Sequence, residues 1–438
     1  MTIDKRHLVW IAAAPWDGIP GADWPMARAM TRYARVLWVD PPVSAVTPAR
    51  RRGDIGGGIL PSLSAVEDGI TRLTPVALPG LTRPGVRVTT APLLRAQIRW
   101  ALRRLRIRPA VVVAGNLDDV LGRWNGAVNV LYCSDDYVEG AGLMRLSASR
   151  LRAQERQAAA RADVLAVVSP QLAEHWSAIG AEPVLIRNGC SPVDVASSPA
   201  ATGLPRPVAG VVGQFTGRID LRLLEAVAAD GFSLLLVGPH DTRWEPQRFA
   251  ALTARPNVRY VGRVPIDEVP SWLAAMDVGL TPYANTPFNQ ASFPLKTLEY
   301  LGAGLPVVST DLPSSRWLRD DLARSEPAAV SQLMALADDE AGFVSAVHRL
   351  ASEPGAPGAA VPAQETRVTA AGARAGSQKT GQARAGRATA ADANAARAAS
   401  ARAFAARHTW ERRAEVLAAA IGLRAPQPTA HDEVQARG

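Results

Sequence analysis

Short apolar runs of strand length alternate with helix-period segments along most of this chain, and that alternation restricts the fold more than any other feature. Strands buried on both faces read as continuous Val, Ile and Leu runs, and the helices between them are the crossovers that parallel neighbours require. Leu8 to Ala13, Val36 to Asp40, Val111 to Ala114, Val128 to Cys133, Val164 to Val168 and Val184 to Arg187 read as strands of a first unit. A small, proline-containing stretch from Ser197 to Pro207 then interrupts the pattern as a linker would. Beyond it, Val208 to Val212, Ser233 to Val237, Val258 to Val261, Val278 to Leu280 and Pro306 to Ser309 read as strands, with helices at Leu221 to Ala229, Val269 to Ala275 and Pro294 to Ala303. The expected fold class is α/β, built as two doubly wound Rossmann-like domains.

The 438 residues accommodate two such domains and extra material. The boundaries read as a first domain over 1–195, a linker over 196–207, a second domain over 208–352, an insertion over 353–400, a helix over 401–423 and a tail over 424–438. The insertion is rich in Ala, Gly, Arg and Thr and has no aromatic residue, so it is expected to be disordered. In the helix, Trp410, Ala414, Leu417 and Ile421 fall on one face, with Thr409 as a candidate N-cap.

Composition excludes several classes. Cys133 and Cys190 are the only cysteines, too few for a disulfide framework and without zinc-site spacing, so no metal site is expected. No apolar run reaches membrane-spanning length, and the residues ahead of Leu8 lack the apolar region of a signal peptide, so the expected residence is cytoplasmic. The net charge of +9 raises nucleic acid as a partner. No recognition helix, zinc spacing or stacking motif accompanies it, and nucleic acid is therefore not an expected partner. Much of the charge lies in the insertion and in the acid-free window between Asp68 and Asp118.

Lysine is rare here: of 49 Lys plus Arg only Lys5, Lys296 and Lys379 are lysines. Lys296 opens the unit Pro294-Leu295-Lys296-Thr297-Leu298-Glu299-Tyr300-Leu301, which runs through Gly304-Leu305-Pro306-Val307-Val308. A compact ammonium in an arginine-biased chain suits a phosphate contact made as a point charge. Pro294 in a first helical turn leaves the amides of that turn available to an anion. Glu299, one turn along the same face, is an acceptor-only group suited to paired sugar hydroxyls. The competing reading is a solvated i,i+3 ion pair.

With its surroundings, this unit resembles the C-terminal domain of GT-B nucleotide-sugar glycosyltransferases, in particular the family-four-like group that includes teichuronic-acid-type enzymes. The resemblance spans about Leu8 to Trp317 and resumes at the Trp410 helix. Val211 to Arg218 looks like the strand and glycine loop facing the donor diphosphate, where Gly213 permits close backbone approach and Arg218 is placed to assist. Leu235 to Pro239 looks like the family's next strand, and Val258 to Pro265, including Val264, resembles the segment whose backbone meets the nucleobase. Asp277 to Tyr283 resembles the strand leading to the sugar-binding loop. The resemblance implies two domains facing an interdomain cleft. It implies transfer from a nucleotide diphosphate sugar, UDP-sugars first and GDP-sugars next, without a metal or other cofactor.

One departure bears on mechanism. Many retaining members carry two glutamates seven residues apart; Glu299 supplies the second, and Ala291 stands at the first. Asn285, Asn289 or Gln290 would have to supply those hydrogen bonds, and the anomeric outcome stays open.

In the first unit, the loop Pro15 to Pro25 follows the first strand, and the resemblance places it at the acceptor. Asp17, Gly18 and Gly21 are its expected acceptor contacts, and Asp23 is a candidate for taking the acceptor's proton. Ser134-Asp135-Asp136-Tyr137 lies at a strand's carboxyl end, where open α/β sheets bind ligands, and Asp136 is preferred over Asp135 as the base of an inverting transfer. For each aspartate the alternative is a turn former or helix N-cap. Asn188-Gly189-Cys190-Ser191-Pro192 resembles the family's Asn-Gly loop and reads equally as a simple turn.

A helix over Leu93 to Arg106 carries the stripe Leu94, Ile98, Leu102 and Leu105, flanked by Arg95, Arg99, Arg103 and Arg106, with Trp100 off the stripe. Such a helix suits an anionic membrane surface, hence peripheral residence at the inner face of the membrane and a cell-envelope glycan product. An ordinary sheet-covering helix fits equally. The function expected is glycosyl transfer to a lipid-linked, polysaccharide or small-molecule acceptor. The alternatives are a GT-B nucleotide-sugar epimerase and an inactive, glycosyltransferase-like binding or scaffold protein.

Overall fold

The computed structural model describes residues 6–19, 21–44, 60–80, 83–191, 193, 198–352 and 392–424. Lys5, Lys379, Pro20, Pro192, residues 194–197 and 353–391, and the tail from 425 onward lie outside the described residues. The chain divides into two compact units. The first comprises Met1–Gly189, Ala291–Phe293 and Trp410–Gly438, and the second Cys190–Gln290 and Pro294–Thr409.

The first unit is built on β1 (His7–Ile11), β2 (Arg35–Val39), β4 (Ser62–Glu67), β5 (Ile70–Thr74), β7 (Pro109–Ala114), β8 (Val128–Cys133), β9 (Val164–Val167) and β10 (Pro183–Leu185). Their order is β10-β9-β8-β7-β1-β2-β5-β4, parallel throughout except for the antiparallel β4–β5 edge. β3 (Val43–Ser44) and β6 (Val76–Ala77) form a separate two-stranded ladder. The central strand β1 places Trp10 opposite Trp38 of β2 and Val113 of β7. From β1 the chain moves outward through β2 and β5, then returns by helix Pro84–Leu105 to β7 on the other side of β1. The β1/β7 gap is therefore the switch point, where loops diverge and leave a crevice at the carboxyl ends.

The second unit repeats the logic in a six-stranded parallel sheet. Its strands are β11 (Val208–Val212), β12 (Ser233–Val237), β13 (Val258–Gly262), β14 (Val278–Thr281), β15 (Val307–Thr310) and β16 (Met334–Ala337), in the order β13-β12-β11-β14-β15-β16. Here the switch point is β11/β14. Leu224, Val227, Leu234, Leu236, Phe249, Val278, Leu280, Val308, Phe343 and Leu350 belong to one buried cluster on this sheet. Burying each such side chain stabilises the fold by about 1.5–3 kcal/mol.

The strands read from sequence are present. The edge strands β4 and β16, the inner strand β5 and the short β3 and β6 were not read, because their polar or brief patterns carry little periodicity. The segment read as the polar loop Thr286 to Ser292 contains a one-turn helix, Pro287–Ala291. Helix Pro84–Leu105 begins ahead of the Leu93 expected for it and carries Pro92 inside. Its stripe is as read, with Leu94, Ile98 and Leu102 buried and Trp100 exposed.

Residues 392–405 are helical, so the returning helix starts before residue 401 and the expected disordered insertion ends earlier. Alanine and arginine, which made the stretch look of low complexity, are among the best helix formers. Arg397 donates to the Leu350 carbonyl oxygen at 3.1 Å, and Ala401, Phe404 and Ala405 are buried. The units divide at Gly189/Cys190, so residues 198–207 of the expected linker count with the second unit, where Ala200 N–H donates to the Ser271 carbonyl.

Gly279, in β14, has no room for a side chain: a Cβ would meet the Tyr300 ring at 2.5 Å. Gly279→Ala is expected to lower stability by about 1–3 kcal/mol through overpacking. Urea denaturation checks this, and an unchanged midpoint would show that Tyr300 can move aside.

Candidate functional site

In the second unit the carboxyl ends of β11 and β14 bring the expected donor residues together. The loop after β11 is zipped to the loop after β14: Asp220 N–H donates to the Pro282 carbonyl at 2.8 Å and Ala284 N–H to the Arg218 carbonyl at 2.9 Å. Buried Asn289 clamps both, donating from Nδ2 to the Arg218 and Ala284 carbonyls and accepting from Arg218 Nε at 3.2 Å. The Arg218 guanidinium lies over the rings of Phe288, at 4.9 Å, and Tyr283, at 5.6 Å. Asn289 is thus a support for Arg218. Gln290 is exposed and donates to Asn285 Oδ1.

Gly213 follows β11 directly, and the space where its Cβ would stand is open, which suits close approach by a ligand. Its own N–H is committed to the Val237 carbonyl at 2.9 Å, so ligand contacts at this loop fall to the groups that follow it. The next strand also needs a glycine: Gly238 has φ +133°, and a side chain there would run into the Gly213 carbonyl. Val264, partly buried, lies just past the end of β13, two strands from β11.

Helix Leu295–Gly302 joins the loop after β14 to β15, with Pro294 at its N-cap position. Three internal contacts hold it against the switch point. Val212 N–H donates to the Tyr300 hydroxyl at 2.7 Å, the Tyr300 ring packs over Gly279, and the Thr281 and Thr297 hydroxyls meet at 3.4 Å. The outer face of the helix carries Lys296 and Glu299, whose Nζ and Oε2 are 2.6 Å apart with side chains 30% and 27% exposed. Burial alone would lower the Lys296 pKa, but the charge and hydrogen bond of Glu299 more than offset it, and the ammonium stays above its ordinary value. Tyr300, Thr297 and Gly238 were missed in the sequence. The signal was there for Tyr300, an aromatic on the buried face one position past Glu299.

In the first unit Asp23 opens helix Asp23–Met30 and sits at the β1/β7 switch point. It accepts from Ala13 N–H at 2.8 Å, and its carboxylate fills the space where a Gly115 side chain would stand. Burial raises its pKa to about 7, against the Ala13 hydrogen bond, with Asp135 raising it further and Trp10 lowering it. Asp135 is partly exposed and accepts from Ser134 Oγ at 3.3 Å. Asp136 is buried, and its Oδ1 accepts from Val138 N–H and Glu139 N–H, the geometry of a turn former. Its Oδ2 faces His175 Nδ1 at 4.0 Å, while Glu155 Oε2 lies 3.3 Å from His175 Nε2. The hydrogen bond that His175 donates to Glu155 raises the His175 pKa, against partial burial, with Asp136 and Glu139 adding to it. Among the described residues these three are the one group able to offer a metal three ligand atoms. One imidazole set between two carboxylates also satisfies itself as an imidazolium ion pair.

The acceptor-loop residues lie on one turn after β1. Gly18 N–H donates to the Pro15 carbonyl, Asp17 pairs with Arg72 at 2.5 Å, and Gly21 is exposed. Asn188 is buried and its carbonyl accepts from Arg413 at 3.4 Å, while Cys190 N–H donates to the His408 carbonyl at 2.7 Å. On helix Pro84–Leu105, Arg95 pairs with Asp119 and Arg99 lies over the Trp124 ring at 5.3 Å, so two of the four flanking arginines serve the fold. Among the described residues no helix is long and apolar enough to cross a membrane.

Residues 207–353 match the family model described as Glycosyl transferases group 1. The match covers about a third of the chain and shows a likeness of that segment to group 1 glycosyl transferases. Over 110 residues the chain is 38% identical to a Bacillus subtilis (strain 168) protein named teichuronic acid biosynthesis glycosyltransferase TuaH, a match that spans 25% of this chain and 28% of that protein's length. Among solved structures, sucrose-phosphate synthase from Thermosynechococcus elongatus superposes with a TM-score of 0.65 at 15% identity, covering 99% of this chain and 100% of that one. HepE of Anabaena, in a structure with UDP-glucose, gives 0.54 at 14% identity, covering 95% and 99%. The fold is GT-B. Lys296, Glu299, Gly213 and Arg218 all fall inside the matched segment.

The Asp23 carboxyl sets a pH test. Because its folded pKa, about 7, lies above the ordinary 3.8, the stability it contributes is fully present below 3.8 and is lost as pH rises through 7. Wild type is expected to lose stability relative to Asp23→Asn as pH rises between those two values, with a slope of about 1.4 kcal/mol per pH unit. Urea midpoints of the two proteins that run parallel across that range would refute it.

Proposed function

We propose that this chain transfers a sugar from a nucleotide diphosphate donor held by the second unit to an acceptor hydroxyl. The observation that carries this reading is the placement of Lys296 and Glu299 one turn apart at the β11/β14 switch point, on a helix tied to the glycine strand by Tyr300. The bond from the sugar's anomeric carbon to the acceptor oxygen forms as its bond to the diphosphate breaks. The nucleoside diphosphate leaves with the extra negative charge. Lys296 faces that charge, with Arg218 held nearby by Asn289, and this cationic pair supplies without a metal what a metal would otherwise bring. Glu299 accepts from ribose hydroxyls. A UDP-sugar is the first donor to test, in keeping with the UDP-glucose held by HepE.

The acceptor proton needs a base. Asp136 is occupied by its own turn, so the partly exposed Asp135 is the better-placed carboxylate, with Asp23 behind it to tune its charge. The acceptor is a glycan, free or lipid-linked. Peripheral contact with an anionic membrane rests on the exposed Arg103 and Arg104 of helix Pro84–Leu105.

Thermal-shift measurements against UDP, GDP, dTDP and CMP test the donor, since a ligand at 100 times its Kd stabilises by about 2.7 kcal/mol. UDP is expected to stabilise, and no shift with any of the four would end the assignment. Lys296→Ala is expected to lower kcat by about 10²-fold and weaken diphosphate binding. Glu299→Ala is expected to weaken UDP binding about 10-fold or more with a smaller effect on kcat. Wild-type kinetics in both variants would overturn these roles.

A further inference from the structure

We propose that Asp136, Glu155 and His175 of the first unit form a site for a divalent transition metal, zinc being the ion that suits these donors best. The three side chains come from separate elements: Asp136 follows β8, Glu155 stands on helix Ala148–Ala159 and His175 on helix Pro170–Ala178. One ligand atom from each lies within 4.8 Å of the other two. Carboxylates on two sides of one imidazole make a mixed oxygen and nitrogen donor set. Zinc and its transition-metal neighbours take such a set, whereas magnesium and calcium prefer oxygen alone.

The position of Glu155 calls for a cation. Leu151, Glu155 and Ala158 are the buried residues of their helix, so this carboxylate stands in the stripe that packs inward, where an apolar side chain is the rule. Glu155 is 3% exposed and Asp136 6%. Carboxylates buried to that extent ordinarily recruit a guanidinium or an ammonium. The same helix carries Arg150, Arg152 and Arg156, yet among the described residues no arginine or lysine forms an ion pair with Glu155 or Asp136. Their shared cationic partner is His175, on which Glu139 also acts with negative charge. An imidazolium supplies one positive charge to two buried carboxylates, whereas a divalent ion held by neutral imidazole balances both.

The distances also fit coordination. Asp136 Oδ1 is held by Val138 N–H at 3.1 Å and Glu139 N–H at 2.9 Å, which leaves Oδ2 for the imidazole side. Oδ2 is 4.0 Å from His175 Nδ1, beyond hydrogen-bond length, and His175 Nε2 is 3.3 Å from Glu155 Oε2, a long hydrogen bond. Ligands bound at about 2.0–2.1 Å to a tetrahedral ion stand about 3.3 Å apart, so the imidazole and Glu155 already have the separation of two ligands of one zinc. Bringing in Asp136 asks the widest separation to close by about 1.5 Å, a movement within reach of side-chain rotation. The His175 side chain is 29% exposed, which gives the ion a way in and leaves a position for water as fourth ligand. Leu172 and Trp176, both buried, anchor the helix that presents it. Bound there, the ion ties the loop that carries Asp135 to two helices of the first unit.

The full chain, stripped with EDTA and then freed of chelator, is titrated calorimetrically with zinc chloride and, in parallel, with magnesium chloride. The expected result is one equivalent of zinc bound and no comparable uptake of magnesium. Glu155→Gln, which keeps the shape of the side chain, and His175→Gln each remove one ligand and are expected to weaken zinc binding about 100-fold or more. Circular dichroism melting without metal checks that both variants fold. Diethylpyrocarbonate labelling of the wild type, mapped by mass spectrometry, locates the ion without any substitution, since bound zinc is expected to protect His175. No zinc uptake, equal uptake of magnesium, uptake that survives both substitutions, or labelling of His175 that zinc leaves unchanged overturns the proposal and leaves the three groups as an imidazolium ion pair.

Discussion

The hydrogen bond from Val212 N–H to the Tyr300 hydroxyl is the contact on which the second unit's site depends. It joins the last residue of the central strand β11 to the helix that carries Lys296 and Glu299. A strand's final N–H at a switch point has no neighbouring strand to take it, because the chain leaves the sheet in opposite directions on either side. A buried N–H left without a partner costs about 1–3 kcal/mol, so something must reach it. Tyr300 does so from beneath, and Gly279 removes the one side chain that would block its ring. The demand that a backbone group be satisfied thus fixes where the ammonium and carboxylate of the donor helix stand.

The first unit meets the same demand with carboxylates. Asp23 accepts from Ala13 N–H, and Asp40, at the end of β2, accepts from Trp16 N–H, both amides lying in the loop after β1. Both are buried, but their surroundings differ. Asp40 has the Arg72 guanidinium at 2.7 Å, whereas burial pushes the Asp23 pKa up to about 7. A paired carboxylate builds a rigid loop, and a carboxyl with raised pKa adds a titration near neutrality to the same edge of the sheet. Both carboxylates serve amides of one loop, the one that leaves the carboxyl end of β1.

Much of this was legible in the sequence, and the failures have identifiable causes. Alternation gave the inner strands, since a strand covered on both faces must be apolar throughout, as in Val111 to Ala114 or Leu234 to Val237. Edge strands such as Ser62–Glu67 lack that requirement and carry no comparable signal. Lys296 and Glu299 were visible through their spacing, because the i,i+3 relation is local. Tyr300 reaching Val212, or Arg72 reaching both Asp17 and Asp40, depends on strands far apart in sequence lying side by side, which no local pattern encodes. Asp136 is a different case. Its position at a strand's carboxyl end suits a catalytic base and a turn former equally, and only the two amides on its Oδ1 distinguish them.

The closed Lys296–Glu299 pair bears on why a lysine stands there in so arginine-rich a chain. At 2.6 Å and with 30% and 27% of the side chains exposed, the pair is partly buried, and the desolvation of the ammonium offsets much of its attraction to Glu299. It is strong enough to keep both groups on the outer face and weak enough for a diphosphate, with more than one negative charge, to replace Glu299 at the ammonium. A guanidinium would bind the carboxylate through two parallel hydrogen bonds, and releasing it would require breaking both. The point charge of lysine lets go of one partner as it meets the next. The released Glu299 is then left beside the ribose with its acceptor oxygens open. Donor binding on this reading opens one ion pair and fills both of its ends.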